Sequence, residues 1–213
     1  MIRLLYVAGI HHFDPLCRGR LLNWLKSLNK SHEHSPIFVA VEWDKDLFGK
    51  VVPQRPLLYR LAKKEWPQSS SFFLTILSEA MAFEGDTHIE VFPTVPILWL
   101  DSGRNVTLEI IEDYAKDRLN VYKSFLPFGV AKLDDKALLI MSKEAWNRSN
   151  KPTQGNSRDT KFAKSIYEHN DQLRNCWAIA IVGTNHASSV QDYMVSILIG
   201  QGIKCDMTIL KPN

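Results

Sequence analysis

Cys176-Trp-Ala-Ile-Ala-Ile-Val182, continuing into Gly183-Thr-Asn-His186 and Ala-Ser-Ser189, is the stretch whose reading decides the fold. An unbroken apolar run between polar segments is expected of a strand buried on both faces, as in a parallel sheet. The run ends in an expected glycine turn that delivers a histidine just past the strand's C-terminal end. In open α/β sheets that edge is where ligands bind. The pattern recurs at the other end of the chain, where Leu4-Leu-Tyr-Val-Ala8 is followed by Gly9-Ile-His-His12. One Gly-x-x-His carries little weight, because a loop histidine is more often a solvated residue. Two copies, each after a buried strand, make His12 and His186 the candidate centre of an active site. Neutral imidazole is a base near pH 7 and a common metal ligand, so either residue can serve as base, ligand or oxyanion partner.

Working outward, Asp14-Pro15 offers a turn into a helix with Leu21, Leu25 and Leu28 on one stripe. Ile37-Phe-Val-Ala-Val41 is then a second apolar strand, ending at Glu42-Trp43-Asp44. Strand, helix, strand is a βαβ unit with parallel strands and a right-handed crossover. It sets His12 and Glu42 at the same sheet edge. Ile97-Leu-Trp-Leu100 ends in Asp101-Ser-Gly-Arg104, again an acid with a glycine turn, and Asp101 and Arg104 become candidates for substrate binding. Arg158-Asp159 opens a helix with Phe162, Ile166, His169 and Leu173 on one stripe. Asp159 there can simply favour the helix N-terminus, or Arg158 can hold a substrate carboxylate or a developing oxyanion.

The remaining elements complete one domain spanning residues 1–213, an α/β fold with a mostly parallel central sheet and helices on both faces. Residues 46–55 read as irregular, Pro56 as the start of a short helix to Glu65, and Ser69 to Ser71 as the cap of a helix reaching about Phe83. Thr87 to Phe92 alternates weakly. Ile111, Ala115, Leu119 and Tyr122 share one helical face, and Asp134 or Asp135 can cap a helix carrying Leu138, Met141 and Ala145. Residues 147–157 have the composition of a mobile surface loop. Ser188-x-x-Gln191 matches a capping box for a last helix, which would leave His186 just ahead of a helix N-terminus that favours negative charge. Lys204 to Leu210 alternates like an edge strand.

Composition narrows the function classes. At 45% hydrophobic and 23% charged, the chain has the balance of an ordinary globular protein. Its net charge of +3 comes from scattered basic residues, which argues against a nucleic-acid partner. No apolar run approaches the ~18 residues of a membrane span, and Cys17, Cys176 and Cys205 form neither a disulfide framework nor a metal motif. A cytoplasmic protein acting on a small molecule or peptide is expected, with oligomeric state left open.

Other polar residues carry competing readings. Glu42 can be a metal ligand or the carboxylate that orients a histidine, and equally a solvated strand terminus. Glu79, Glu84 and Asp86 gather at a helix end, where they can extend a metal site or merely face solvent. His32 and His34 form an HxH in a polar loop, more simply read as solvated. Cys176 precedes a buried strand and reads as core.

The order of Gly9-Ile-His-His12, Val39-Ala-Val-Glu42-Trp-Asp44, Leu98-Trp-Leu-Asp101-Ser-Gly-Arg104, Arg158-Asp159 and Val182-Gly-Thr-Asn-His186 resembles that of the TraB, TIKI and GumN group. That superfamily also takes in erythromycin esterases and ChaN-like haem-binding proteins. The resemblance touches residues 4–46, 72–113 and 157–210, each motif being short. It implies one cleft lined by both Gly-x-x-His motifs, the glutamate and the Arg-Asp pair. TIKI-like members imply a metalloprotease with His12, Glu42 and His186 holding a divalent ion such as Mn²⁺ or Co²⁺. Esterase-like members imply a histidine base without an essential metal, and ChaN-like members imply haem binding without catalysis.

The expected function is therefore hydrolysis of an ester or amide, with water activated at His12 and supported by Glu42. His186 and Arg158 would stabilise the oxyanion, and Asp159 would orient one of them. A non-catalytic protein binding haem or a peptide in the same cleft is the alternative. The cleft walls are expected from residues 114–156.

Overall fold

Alternation along β4 (Trp177–Gly183) explains why its sequence is apolar throughout. Trp177, Ile179 and Ile181 enter one core, while Ala178, Ala180 and Val182 enter a second core on the opposite face. All seven residues are buried, so neither face tolerates a polar side chain. The computed structural model describes residues 3–101, 113–148, 157–169, 176–198 and 203–212.

Five parallel strands make one sheet in the order β3-β2-β4-β1-β5, with β1 Arg3–Ile10, β2 Val39–Val41, β3 Ile97–Trp99 and β5 Ile203–Ile209. The chain is thus an α/β fold with helices on both faces. β4 returns to fill the gap left between β1 and β2, the kind of reversal that opens a crevice at strand C-termini. Register carries the functional consequence. Gly9 lies opposite Val182 and Ile10 opposite Gly183, while Val41 lies opposite Ile181. His12, Glu42 and His186 therefore follow three adjacent strand ends, and Asp101 follows the fourth at β3.

The two cores differ in grain. One face packs long side chains from α1 (Cys17–Ser31), α3 (Arg55–Glu65), α4 (Ser71–Glu79), α5 (Tyr114–Ser124) and α6 (Asp135–Asn147). Leu21, Leu25 and Leu28 of α1 are all buried, as their spacing requires. The other face is covered by α7 (Ser157–Glu168) and α8 (Thr184–Leu198), through Phe162, Ala163, Ile166, Ala187 and Val190. Alanines on both sides of that seam let the helices approach the sheet closely.

Several local expectations change. Residues 45–51 form a helix, α2 (Lys45–Val51), because the Asp44 side chain accepts from the N–H groups of Asp46 and Leu47, both at 2.9 Å. α4 is capped by Ser70 and ends at Glu79, short of Phe83, because Ala82 turns left-handed at φ 56°. Thr87 to Glu90 is a 3₁₀ turn rather than part of an alternating strand. The capping-box reading also fails: α8 begins at Thr184, directly after β4, so Ser188 lies inside the helix and His186 in its first turn. Neither motif glycine forms a turn, since Gly9 lies within β1 and Gly183 closes β4. Arg104, Ile111, Leu173 and most of the expected loop at 147–157 lie outside the described residues.

Among the described residues no helix is long and apolar enough to cross a membrane. The fine-grained seam is a packing limit that can be tested. Ala180→Leu adds volume at a fully buried position and should cost about 1–3 kcal/mol. Urea denaturation checks this, with a lower midpoint and unchanged slope as the expected result.

Candidate active site

Gly183 is where the two histidines and Glu42 meet. A Cβ added there would lie 2.8 Å from His12 Nε2, 3.1 Å from Glu42 Oε2 and 3.5 Å from His186 Cδ2. Close approach of side chains, rather than an unusual backbone angle, is what the glycine permits. Gly9 serves the packing beneath: a Cβ there would stand 2.4 Å from Ile209 Cδ1 and 3.1 Å from Ala187 Cβ, against α8.

Glu42, 7% exposed, is the hub. Its Oε2 accepts from the Gly183 N–H at 2.5 Å, and its Oε1 accepts from the Arg158 guanidinium at 3.1 Å. His12 Nε2 stands 3.8 Å from Oε2 and His186 Nε2 stands 3.5 Å from Oε1. The same Arg158 nitrogen donates to Asp101 at 2.9 Å, so Asp101 and Arg158 both act on Glu42's surroundings.

Each histidine is held from behind by a buried acid. His12 Nδ1 bonds Glu84 at 2.8 Å, and Glu84 also accepts from the Trp43 indole N–H at 2.5 Å. His186 Nδ1 bonds Asp159 at 2.5 Å, and Asp159 is fully buried. With Nδ1–H donated backwards, each neutral ring turns an Nε2 lone pair towards Glu42. Glu84 arrives by an uncommon route. Ala82 holds a left-handed conformation, costing about 1–2 kcal/mol, and the chain then folds through a 3₁₀ turn, Phe83–Gly85, beneath His12.

These groups open into a cleft of ≈ 890 Å³. His12, Glu42, Asp101, Arg158 and His186 line it, whereas Asp159 stands behind His186. Another part of the wall is helical, built from α5 and α6 with Tyr114, Arg118, Val121, Phe125 and Arg148 among its residues. Nothing in the 114–148 segment's sequence had singled out Arg118. Glu84 had been weighed only as part of an acidic helix end; its pairing depends on the Ala82 turn, for which the sequence holds no glycine signal. Arg104 falls outside the described residues.

Electrostatics couples the first dyad. Burial works against a charged His12, but the Glu84 charge and hydrogen bond, helped by Glu42, outweigh it and raise its pKa above the ordinary 6.5. Burial likewise works to raise Glu84, and the His12 charge and bond, with the Trp43 N–H, outweigh it and hold the carboxyl below its ordinary range. The neighbouring His11 behaves differently: burial, with the His12 charge, pushes it down to about 4. The cysteines offer no competing nucleophile in this cleft, and burial raises Cys17 to about 12 and Cys205 to about 11. His32 is not paired with His34 as a metal site. Its ring stacks on Trp177 at 4.2 Å and bonds the Tyr6 hydroxyl at 3.2 Å.

The donor set can be compared with what a metal ion needs. Two imidazoles backed by carboxylates and facing a third carboxylate are chemically suited to a divalent ion. Both Glu42 oxygens are already engaged, however. Among the described residues no group of three or more His, Cys, Asp or Glu is disposed to hold a metal. No protein-family model, curated protein or solved structure matches the chain.

The dyad makes a signed pH prediction. Stability from the raised His12 is fully present below its unfolded value and lost as pH rises through the higher folded value. Stability from the lowered Glu84 is present above its unfolded value and lost as pH falls through the depressed one. NMR titration of the imidazoles should place the His12 inflection above 6.5, moving downward in Glu84→Gln. An inflection that ignores the substitution would refute the coupling.

Proposed function

We propose that the protein is a cytoplasmic hydrolase of ester or amide bonds, a member of the TraB, TIKI and GumN group by the order of its motifs. The observation that carries this reading is the pair of acid-backed histidines, His12–Glu84 and His186–Asp159, converging on the carboxylate of Glu42. A histidine oriented by a carboxylate is the arrangement that proton transfer in acyl hydrolysis requires.

In this mechanism neutral His12 removes a proton from water through Nε2, while Glu42 offers that water a second acceptor. The oxygen attacks the carbonyl carbon, and the tetrahedral oxyanion forms near the first turn of α8. Thr184 and Asn185 line the cleft there, and a helix leaves its first N–H groups without partners inside the helix. His186, held by Asp159, lines the cleft beside it. Collapse breaks the bond to the leaving oxygen or nitrogen, which takes the proton from His12. Arg158, expected to bind the oxyanion directly, is better assigned to positioning: its bonds to Glu42 and Asp101 hold the hub carboxylate in place.

A second version is favoured by the same convergence. His12 Nε2, His186 Nε2 and Glu42 would hold a divalent ion such as Mn²⁺ or Co²⁺, whose chemistry when bound is to lower the pKa of its water. The metal-free version fits better the full engagement of Glu42 by Gly183 and Arg158.

Turnover of p-nitrophenyl esters and peptide anilides tests both. His12→Ala should lower kcat/KM by about a hundredfold or more, the usual contribution of a general base. Gly183→Ala should lower kcat, since its methyl would fall within 2.8 Å of His12 Nε2. Activity that survives chelation supports the metal-free version; loss restored by Mn²⁺ or Co²⁺ supports the other. Equal turnover by wild type and His12→Ala would end the hydrolase reading.

A further inference from the structure

The helical wall of the cleft carries a cation that no anion answers among the described residues. Arg118, on α5, is 3% exposed and lines the cavity. Its Nη1 donates to the backbone carbonyl of His12, and its Nη2 donates to the Tyr114 hydroxyl at 3.2 Å. The guanidinium lies 4.3 Å from the centre of the Phe13 ring. All of these partners are neutral, and the buried Nε has no hydrogen-bond partner. Among the described residues no carboxylate pairs with Arg118. Other arginines are answered: Arg20 by Asp14, Arg55 by Asp86 at 2.6 Å, and Arg158 by Glu42 and Asp101. Glu84, whose charge reaches Arg118, is already held by His12 and Trp43.

Removing a guanidinium from water without an anion is expensive. In a sealed core that cost would be hard to account for. On the wall of an open cleft it is what a site for an anionic ligand looks like before the ligand arrives. The surroundings narrow the ligand further. Phe13, Val121, Phe125 and Ala145 give that wall an apolar lining, and the guanidinium fork matches the plane of a carboxylate. His11 adds a donor: its Nδ1 accepts the Phe13 N–H at 3.3 Å, which leaves Nε2–H on the ring lining the same cavity.

We propose that Arg118 recognises a carboxylate on an otherwise apolar substrate, so that the enzyme hydrolyses esters or amides that also carry a free acid. The hydrolytic half of this statement rests on the function proposed above; the recognition half does not. Polarity sets the direction of binding. Glu42 and Asp101 at the sheet edge repel an anion, so the substrate's carboxylate takes the Arg118 end and its scissile bond points to His12.

Calorimetric titration with 4-phenylbutyrate and 4-phenylbutan-1-ol tests recognition without any bond to hydrolyse. Wild type should bind the acid about tenfold or more tightly than the alcohol, as a charge-assisted bond predicts. In Arg118→Met the two ligands should come within about twofold. Arg118→Lys, which keeps the charge and loses the fork, should show an intermediate ratio. Equal binding of both ligands by wild type, or an undiminished preference in Arg118→Met, overturns the assignment. If circular dichroism shows Arg118→Met unfolded, an undiminished preference in Arg118→Lys overturns it instead. Acid preference in a wild type that turns over no ester would remove the hydrolase reading and leave Arg118's role standing.

Discussion

The carboxylate of Glu42 is buried at 7% exposure, and the rest of the cleft is arranged around the need to satisfy it. A buried carboxylate is tolerated only with hydrogen bonds and opposite charge close by. Here the Gly183 N–H and the Arg158 guanidinium supply them, with the two imidazole rings close by. Each neighbour is then constrained in turn. Arg158 is shared with Asp101, His186 leans on Asp159, and His12 leans on Glu84. The result is a connected polar network in which no member can shift alone. Such rigidity is what a reacting group needs if its geometry is to be ready before the substrate binds.

Network and fold are linked through backbone approach. Gly183 leaves room for His12 and Glu42 to meet, and Gly9 leaves room for α8 to close on the sheet. Further away, Ala82 accepts a strained left-handed conformation that brings Glu84 under His12. Strain of this kind persists where surrounding packing over-determines it, and Ala82, Met81 and Phe83 are all fully buried. The sheet edge thus holds the two histidines and Glu42 in fixed positions. The helical wall of α5 and α6 faces it with arginines and apolar side chains.

Much of the sheet edge was legible in the chain itself. His12, Glu42, Asp101 and His186 each follow an apolar run, and the ends of parallel strands share one edge by topology. Arg158 and Asp159 follow from their place at a helix start. What could not be read was pairing. In sequence Glu42 reads as a metal ligand, as the carboxylate that orients a histidine or as a solvated strand end, yet the acids bonded to the two rings are Glu84 and Asp159, while Glu42 stands between them. Arg158 reads in sequence as part of a helix start or as a clamp on a substrate carboxylate or oxyanion, yet Glu42 and Asp101 hold it. The capping-box reading of Ser188 was a local pattern overridden because β4 runs straight into α8.

By itself, the sequence determined periodicity: which runs are strands buried on both faces, which helices show one apolar stripe, and therefore an α/β sheet with polar residues at strand ends. Those properties depend on neighbours one to four positions apart. Only the tertiary structure decided that β4 lies between β1 and β2, that Glu84 rises beneath His12, and that Arg118 stands against the His12 carbonyl with no acid paired to it among the described residues. Those facts join residues as far apart as Glu42 and Gly183 or His12 and Arg118. Contacts at such separations are set by strand order and packing, which hydrophobic spacing along the chain does not encode.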